Sequence, residues 1–289
     1  MATTVTQAFA QFKANLEITG LQSSTVSTRQ QNVRSKVTAS LTVLDSFLTG
    51  SYVRSTMIAP LEDADIDIFI VLDSSYFDST ANGPANVLAK LKRVIDNAYL
   101  TTTQASRNGQ AVSIRFSDFV VDVVPAFNRQ GGGYLIPDPI NGSWISTNPK
   151  THVELWSKMN AQQDSMFVPF IKMIKAWNRA HSQVFRSFHL EAIIRDVFLY
   201  QRISSFSQAT LYFFENAYNH VYVSDPSGYG GSLASYLSND TTRFMDIYTK
   251  FSTNNDRARE AINLEGSYRI DQAIAKWRMI FGDYFPAYG

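Results

Sequence analysis

The stretch Asp65-Ile66-Asp67-Ile68-Phe69-Ile70-Val71-Leu72 reads as a β-strand with two unlike faces. Side chains alternate across a strand, so Asp65 and Asp67 project together while Ile66, Ile68 and Ile70 pack on the opposite side. Adjacent carboxylates repel unless a cation sits between them. Oxygen-only ligands suit Mg²⁺, which keeps waters and phosphate oxygens in its shell. A third acid, Asp122, interrupts the apolar run Phe119-Val120-Val121-Asp122-Val123-Val124-Pro125. A lone ionised acid in such a strand needs compensation, so it too suits a metal site. The plain alternative is that Asp65 and Asp67 flank the strand start in solvent and Asp122 points off an edge.

Working outward, Val33, Val37, Leu41 and Leu44 recur at helical steps and predict one helix over residues 25–48, ending at Thr49-Gly50-Ser51. Helical spacing returns over 84–100, and two strands are expected at 111–116 and 119–126, before a Gly131-Gly132-Gly133 loop. From Thr151 the periodicity is helical throughout, over 151–161, 165–181, 188–204, 207–219, 241–252 and 255–282. A strand-bearing part, residues 1–150, thus precedes a helical part, residues 151–289. The stretch Pro137–Pro149 is the expected crossover, and a two-lobed α+β molecule with its active site in the cleft between lobes is expected. No internal repeat or low-complexity tract interrupts this plan.

Composition narrows the function. The chain has 289 residues, no cysteine, 26 Lys+Arg against 25 Asp+Glu and a net charge of +1. At 45% hydrophobic and 18% charged residues it can bury a large core, which excludes global disorder. Near-neutrality gives no bias towards nucleic acid or an anionic membrane. Without cysteine there is no disulfide, thiolate nucleophile or zinc ribbon, and His152, His181, His189 and His220 carry all the imidazole chemistry. The first seventeen residues lack an apolar signal core and no apolar run reaches ~18 residues, so a soluble, cytoplasmic protein is expected. Lys172, Lys175 and Arg179 form a basic stripe at helical spacing, either a solvated face or a phosphate contact. Trp177 reads as a core anchor and His189 as a packing histidine, while Arg54 either touches phosphate or pairs with a nearby acid.

Gly50-Ser51, thirteen residues and then Asp65-Ile66-Asp67 match the nucleotidyltransferase pattern of G-[GS], spacer and D-x-[DE]. The blocks G-S-Y-V-R-S-T, D-I-D-I-F-I-V, V-D-V-V-P-A-F, F-I-K-M-I-K-A-W-N-R and R-S-F-H-L-E follow in order, and Val223-Ser224-Asp225-Pro226 resembles a late V-x-D-P turn. From about Phe47 to Pro226 the chain resembles the cGAS/DncV-like nucleotidyltransferases, the bacterial CD-NTases of CBASS antiphage systems, related to oligoadenylate synthase. The resemblance implies a polymerase-β-like core with a mixed β-sheet and an α-helical second lobe. It implies two Mg²⁺ ions, replaceable by Mn²⁺, on Asp65, Asp67 and Asp122 as catalytic carboxylates. It also implies nucleotide contacts from Gly50, Ser51, Arg54, Lys175, Ser187 and Phe188. Phe188 stands where animal cGAS has a tyrosine, keeping the stacking face and losing the hydroxyl.

The activity so implied joins NTPs, ATP among them, into a cyclic di- or trinucleotide second messenger sensed by a separate effector protein, with release of pyrophosphate. Asp122 would position or deprotonate the attacking hydroxyl. The rivals are a template-independent RNA-tailing enzyme, a nucleotidyltransferase acting on a small molecule or a protein hydroxyl, and a catalytically silent nucleotide-binding scaffold. The first wants a dense basic groove, which is missing; the last is disfavoured by the presence of all three carboxylates. Without cysteine the zinc-binding insertion of animal cGAS cannot form, so direct activation by duplex DNA is not expected. The terminal Gly289 resembles the glycine through which some bacterial relatives are conjugated to targets, although a frayed end is the plainer reading.

Overall fold

A computed structural model of the chain describes residues 2–61, 65–99, 106–237 and 240–289. They form two compact units, residues 18–155 and residues 1–17 together with 156–289. The expected division after residue 150 placed the first helix, α1 (Val5–Asn15), with the sheet; it belongs to the helical unit.

In the sheet unit, α2 (Gly20–Thr38) begins at a capping box in which Thr19 and Gln22 satisfy each other's backbone N–H groups. It buries Val26, Gln30, Val33 and Val37 along one face. The single helix expected over 25–48 does not form. The chain leaves the helix after Thr38 and enters strand β1 (Val43–Thr49), which pairs antiparallel with β2 (Asp65–Leu72). Leu41 is buried but Leu44 is 55% exposed, so the two do not share a helical face. The β-branched and aromatic residues Val43, Phe47 and Thr49 suit a pleated surface, and strand pairing prevails over the helical spacing. The four-residue α3 (Gly50–Val53) follows directly.

The helix α4 (Gly83–Ala98) matches its expected range, with residue 100 lying outside the described residues. Strands β3 (Ser106–Asn108), β4 (Ala111–Arg115) and β5 (Val120–Asn128) complete a sheet of order β1-β2-β5-β4-β3. Its β2–β5 pair is parallel and the other pairs are antiparallel, so the sheet is mixed. Most of the expected crossover at Pro137–Pro149 belongs instead to a hairpin of β6 (Tyr134–Asp138) and β7 (Ser143–Thr147). Asp138 closes it by accepting N–H bonds from Ile140 and Asn141, each at 3.2 Å. Its turn chemistry, Pro139 to a left-handed Gly142 (φ +60°), was the available signal.

The sheet's two faces differ. Ile66, Ile68, Ile70 and Leu72 pack with Val112, Val121 and Val123 against the buried residues of α2 and α4. The opposite face carries a smaller cluster, Phe69, Val71, Ala111, Val124, Ala126 and Tyr134. Asp65, Asp67 and Asp122 extend this second face by alternation, on the N-terminal side of the cluster along β2 and β5.

Helix α5 (Pro149–Gln162) leads into the helical unit of α6 (Phe167–Ala180), α7 (Ser187–Val197), α8 (Phe206–Asn216), α9 (Thr241–Gly266) and α10 (Ile270–Phe281). The break expected near residue 253 falls at 267–269 instead. Asn254 is accommodated inside α9 by donating to the Lys250 carbonyl at 2.7 Å, and the helix yields at Gly266, before Tyr268 at φ +58°. Trp177 anchors this core as expected, fully buried and stacked on Phe251. No helix among the described residues is long and apolar enough to cross a membrane.

Helix α1 is fixed by aromatic packing. Phe12 is fully buried with ring centroids 4.7 Å from Phe281 and 5.3 Å from Phe285. Phe12→Ala is expected to cost about 3–5 kcal/mol through the lost burial and the cavity left behind. Urea unfolding would measure it, and wild-type stability in the variant would show that α1 is not part of that core.

Candidate active site

Strand register brings the carboxylates together. The parallel β2–β5 pairing sets Asp67 opposite Asp122, and the β1–β2 pairing sets Thr49 opposite Asp67 on its other side. Asp65 lies two residues back on the same face, exposed at the strand start, while Asp67 is half-buried and Asp122 is 8% exposed. The edge alternative for Asp122 therefore fails, because β5 is paired on both sides.

Gly50 explains the fixed upstream glycine. Its φ is +71°, and a Cβ built there would lie 1.8 Å from Oδ2 of Asp67. The Asp67 carboxylate rests directly on the Gly50 backbone, a place that no side chain can share. The following turn is held by the Ser51 carbonyl, which accepts N–H bonds from Thr56 at 2.9 Å and Met57 at 3.1 Å. Arg54 caps α3 through its N–H to the Gly50 carbonyl at 3.3 Å and is buried.

Asp122 carries a perturbed carboxyl. Burial pushes it above the ordinary carboxylate range. Its Oδ1 is buried with no hydrogen-bond partner. Such an orphan acceptor beside a second carboxylate fits a hard divalent cation, which takes oxygen ligands. Among the described residues no three acidic, imidazole or thiol side chains are gathered closely enough to enclose a metal as they stand. Asp67 and Asp122 are paired by the sheet, whereas Asp65 sits at the solvent end.

The remaining expected contacts lie in the helical unit. Lys172 and Lys175 are buried and ion-paired, with Glu17 at 2.6 Å and Glu191 at 2.8 Å, so this stripe is not a solvated face. Glu191 is completely buried. It lies in the R-S-F-H-L-E block, yet its role was missed, because only tertiary packing shows which cation it faces. Ser187 opens α7, and Phe188 is half-buried against Trp156, with ring centroids 5.7 Å apart and planes at 26°. His189 is the packing histidine expected: its Nε2–H donates to the Val221 carbonyl at 2.8 Å and Nδ1 accepts from the Tyr236 hydroxyl at 2.9 Å. Tyr236 also accepts the Arg186 N–H at 3.0 Å, which fixes the chain immediately before Ser187. In the V-S-D-P turn, Asp225 accepts N–H bonds from Ser227 at 2.9 Å and Gly230 at 3.1 Å.

The Second Messenger Oligonucleotide or Dinucleotide Synthetase domain family matches residues 3–160, more than half of the chain. The chain belongs to this family and is a cGAS/DncV-like nucleotidyltransferase with a polymerase-β-like core. It is 27% identical over 260 residues to a cyclic AMP-AMP-AMP synthase of an Acinetobacter species, covering 83% of this chain and 72% of that protein. It is 22% identical over 265 residues to the CBASS oligonucleotide cyclase CdnC of Escherichia coli, covering 82% and 81%. In fold it is similar to the DncV cyclic AMP-GMP synthase of Vibrio cholerae, with a TM-score of 0.78 at 12% identity over 99% of this chain and 98% of that one. The E. coli CdnC in complex with HORMA-deltaN gives 0.79 at 16% identity over 98% of each chain.

Two predictions follow from this geometry. Gly50→Ala should keep the fold, judged by thermal melting, yet lose roughly 100-fold in pyrophosphate release by displacing the Asp67 carboxylate; near-normal turnover would contradict the close approach. The second concerns His189, whose pKa burial holds below the usual 6.5. As pH falls through that value the unfolded chain takes up the proton first, so stability is full above it and declines below. Urea titrations at about pH 7.5 and 5.5 should show this loss, and His189→Gln should reduce it. Part will remain because burial lowers His181 in the same direction; an unchanged pH dependence in the variant would exclude His189 as a source.

Proposed function

We propose that this protein joins nucleoside triphosphates, ATP among them, into a cyclic oligonucleotide second messenger, with release of pyrophosphate. The observation that carries the reading is the register pairing of Asp67 with Asp122, the former seated on Gly50 and the latter with an orphaned buried oxygen. Asp65, Asp67 and Asp122 are the residues that would hold Mg²⁺ or Mn²⁺. Bound divalent cations would stabilise the attacking and leaving oxygens of an in-line displacement. Asp122 orients the attacking ribose hydroxyl and accepts its proton. The hydroxyl oxygen bonds to the α-phosphorus, the bond from that phosphorus to the bridging oxygen breaks, and pyrophosphate departs. The last such transfer, within the linear product, closes the ring.

Gly50, Ser51 and Arg54 are assigned to the donor triphosphate, Lys175 and Ser187 to phosphate and Phe188 to a base. Glu191 holds Lys175 in place through the buried ion pair. The names of the relatives support adenine nucleotides as substrates and a role in CBASS signalling; a separate effector that reads the product completes the proposal. Conjugation through Gly289 is the least supported part: its N–H donates to the Ala2 carbonyl at 3.3 Å, so the tail would have to peel away first.

Purified protein incubated with Mg²⁺ and all four NTPs, followed by phosphatase treatment and mass spectrometry, should yield a phosphatase-resistant cyclic product. An Asp65→Asn/Asp67→Asn variant should lose it. Linear oligomers or tailed RNA would replace this reading with the polymerase rival. Triphosphate binding without any product, with Mn²⁺ too, would point to a silent scaffold.

A further inference from the structure

Strand β4 contributes a residue to the carboxylate face that no motif marks. The antiparallel β4–β5 pairing sets Ser113 opposite Asp122. Residues facing each other in such a pair have Cβ atoms about 4.5–5.5 Å apart, within reach of a serine–carboxylate hydrogen bond. Yet both Ser113 Oγ and Asp122 Oδ1 are buried and have no hydrogen-bond partner among the described residues. Of the seven buried side-chain polar atoms without a partner among the described residues, these two belong to residues paired across neighbouring strands. Here they face each other, one a hydroxyl able to donate and the other a carboxylate oxygen that accepts. A turn about the Ser113 Cα–Cβ bond would satisfy both.

The other residues of this strand do not do the same work. Ala111, on the same face, belongs to the apolar cluster, and Val112 and Ile114 point into the opposite core. Ser113 is thus the one hydroxyl that β4 places against Asp122.

We infer that Ser113 is a positioning residue for Asp122: its hydroxyl donates to Oδ1 and fixes the carboxylate rotamer, so that Oδ2 is presented to a divalent cation. This rests on the reading of Asp122 as a cation ligand. Partners of this kind, which hold a ligand without touching the ion, typically account for about tenfold or more in metal affinity.

The test compares Ser113→Thr with Ser113→Val, side chains of nearly equal shape that differ in the hydroxyl. Ser113→Ala, which only removes an atom, serves as a second variant should valine disturb packing. Thermal melting establishes folding, and Mn²⁺ affinity is read by electron paramagnetic resonance without nucleotide. Ser113→Val and Ser113→Ala should weaken Mn²⁺ about tenfold, while Ser113→Thr stays within about twofold of wild type. Equal Mn²⁺ affinity in the Thr and Val variants would overturn the inference. Asp122→Asn separates the two levels. If it weakens Mn²⁺ and Ser113→Val does not, only the role of Ser113 falls. If it leaves Mn²⁺ binding unchanged, Asp122 is no cation ligand and both readings fall.

Discussion

The placement of Asp67 beside Asp122 on neighbouring parallel strands is the constraint that the rest of the sheet unit serves. Two like charges about 5 Å apart repel by roughly 3 kcal/mol at an effective dielectric constant of 20. Their opposition is therefore unfavourable and must be imposed. Register imposes it, because a one-residue slip of either strand would turn an acid into the apolar core and an isoleucine or valine out of it. The opposite face, where β2 and β5 bury Ile66, Ile68, Ile70, Val121 and Val123, makes that slip costly. Burying isoleucines and valines on one side is what holds the carboxylates on the other. Gly50 then constrains Asp67 by shape, as the hydrophobic face constrains it by register.

The helical unit solves a related problem with the opposite sign. Lys172 and Lys175 lie among Phe170, Ile171, Met173 and Ile174, all buried. Isolated ammonium groups there would carry a large desolvation cost, and Glu17 and Glu191 offset it. The completely buried Glu191 makes the Lys175 pair much harder to break than a surface pair, since removing one partner leaves a bare buried charge. Such a pair adds little net stability but fixes the ammonium in one place. Glu17 follows α1, so the packing of Phe9 and Phe12 against α10 also bears on Lys172.

What the sequence made legible follows the same division. The β2 and β5 strands, the three acids, Gly50 and the buried Trp177 were readable because each is a local signal: alternation, an acid within an apolar run, a glycine before a small residue. The error over residues 25–48 arose because Leu41 and Leu44 fit helical spacing while strand pairing with β2, a long-range effect, decided the outcome. The β6–β7 hairpin was obscured by prolines and a glycine that serve its turn and edges as readily as a loop. Glu191 and Ser113 were invisible for a different reason. Their significance lies wholly in what faces them across a helix pair or a strand pair, and no spacing along the chain encodes that.

The same distinction bears on what the fold determines. The chain resembles proteins named as synthases of cyclic AMP-AMP-AMP and of cyclic AMP-GMP, and its fold matches the latter at a TM-score of 0.78 with 12% identity. A protein named for cyclic AMP-GMP synthesis thus shares this architecture with few identical residues. In this chain the sheet register, the Gly50 seat and the three acids are set by strand pairing and backbone shape. Base choice turns on a few hydrogen bonds from side chains outside that set, where one unmet polar group is enough to reject a wrong partner. The V-S-D-P turn is held locally: both Asp225 oxygens accept backbone N–H bonds within the loop, so the turn keeps its shape through its own acid. The strand register and the Gly50 seat are thus set by backbone geometry that many sequences can produce, whereas base choice depends on side chains that an architecture leaves free to vary.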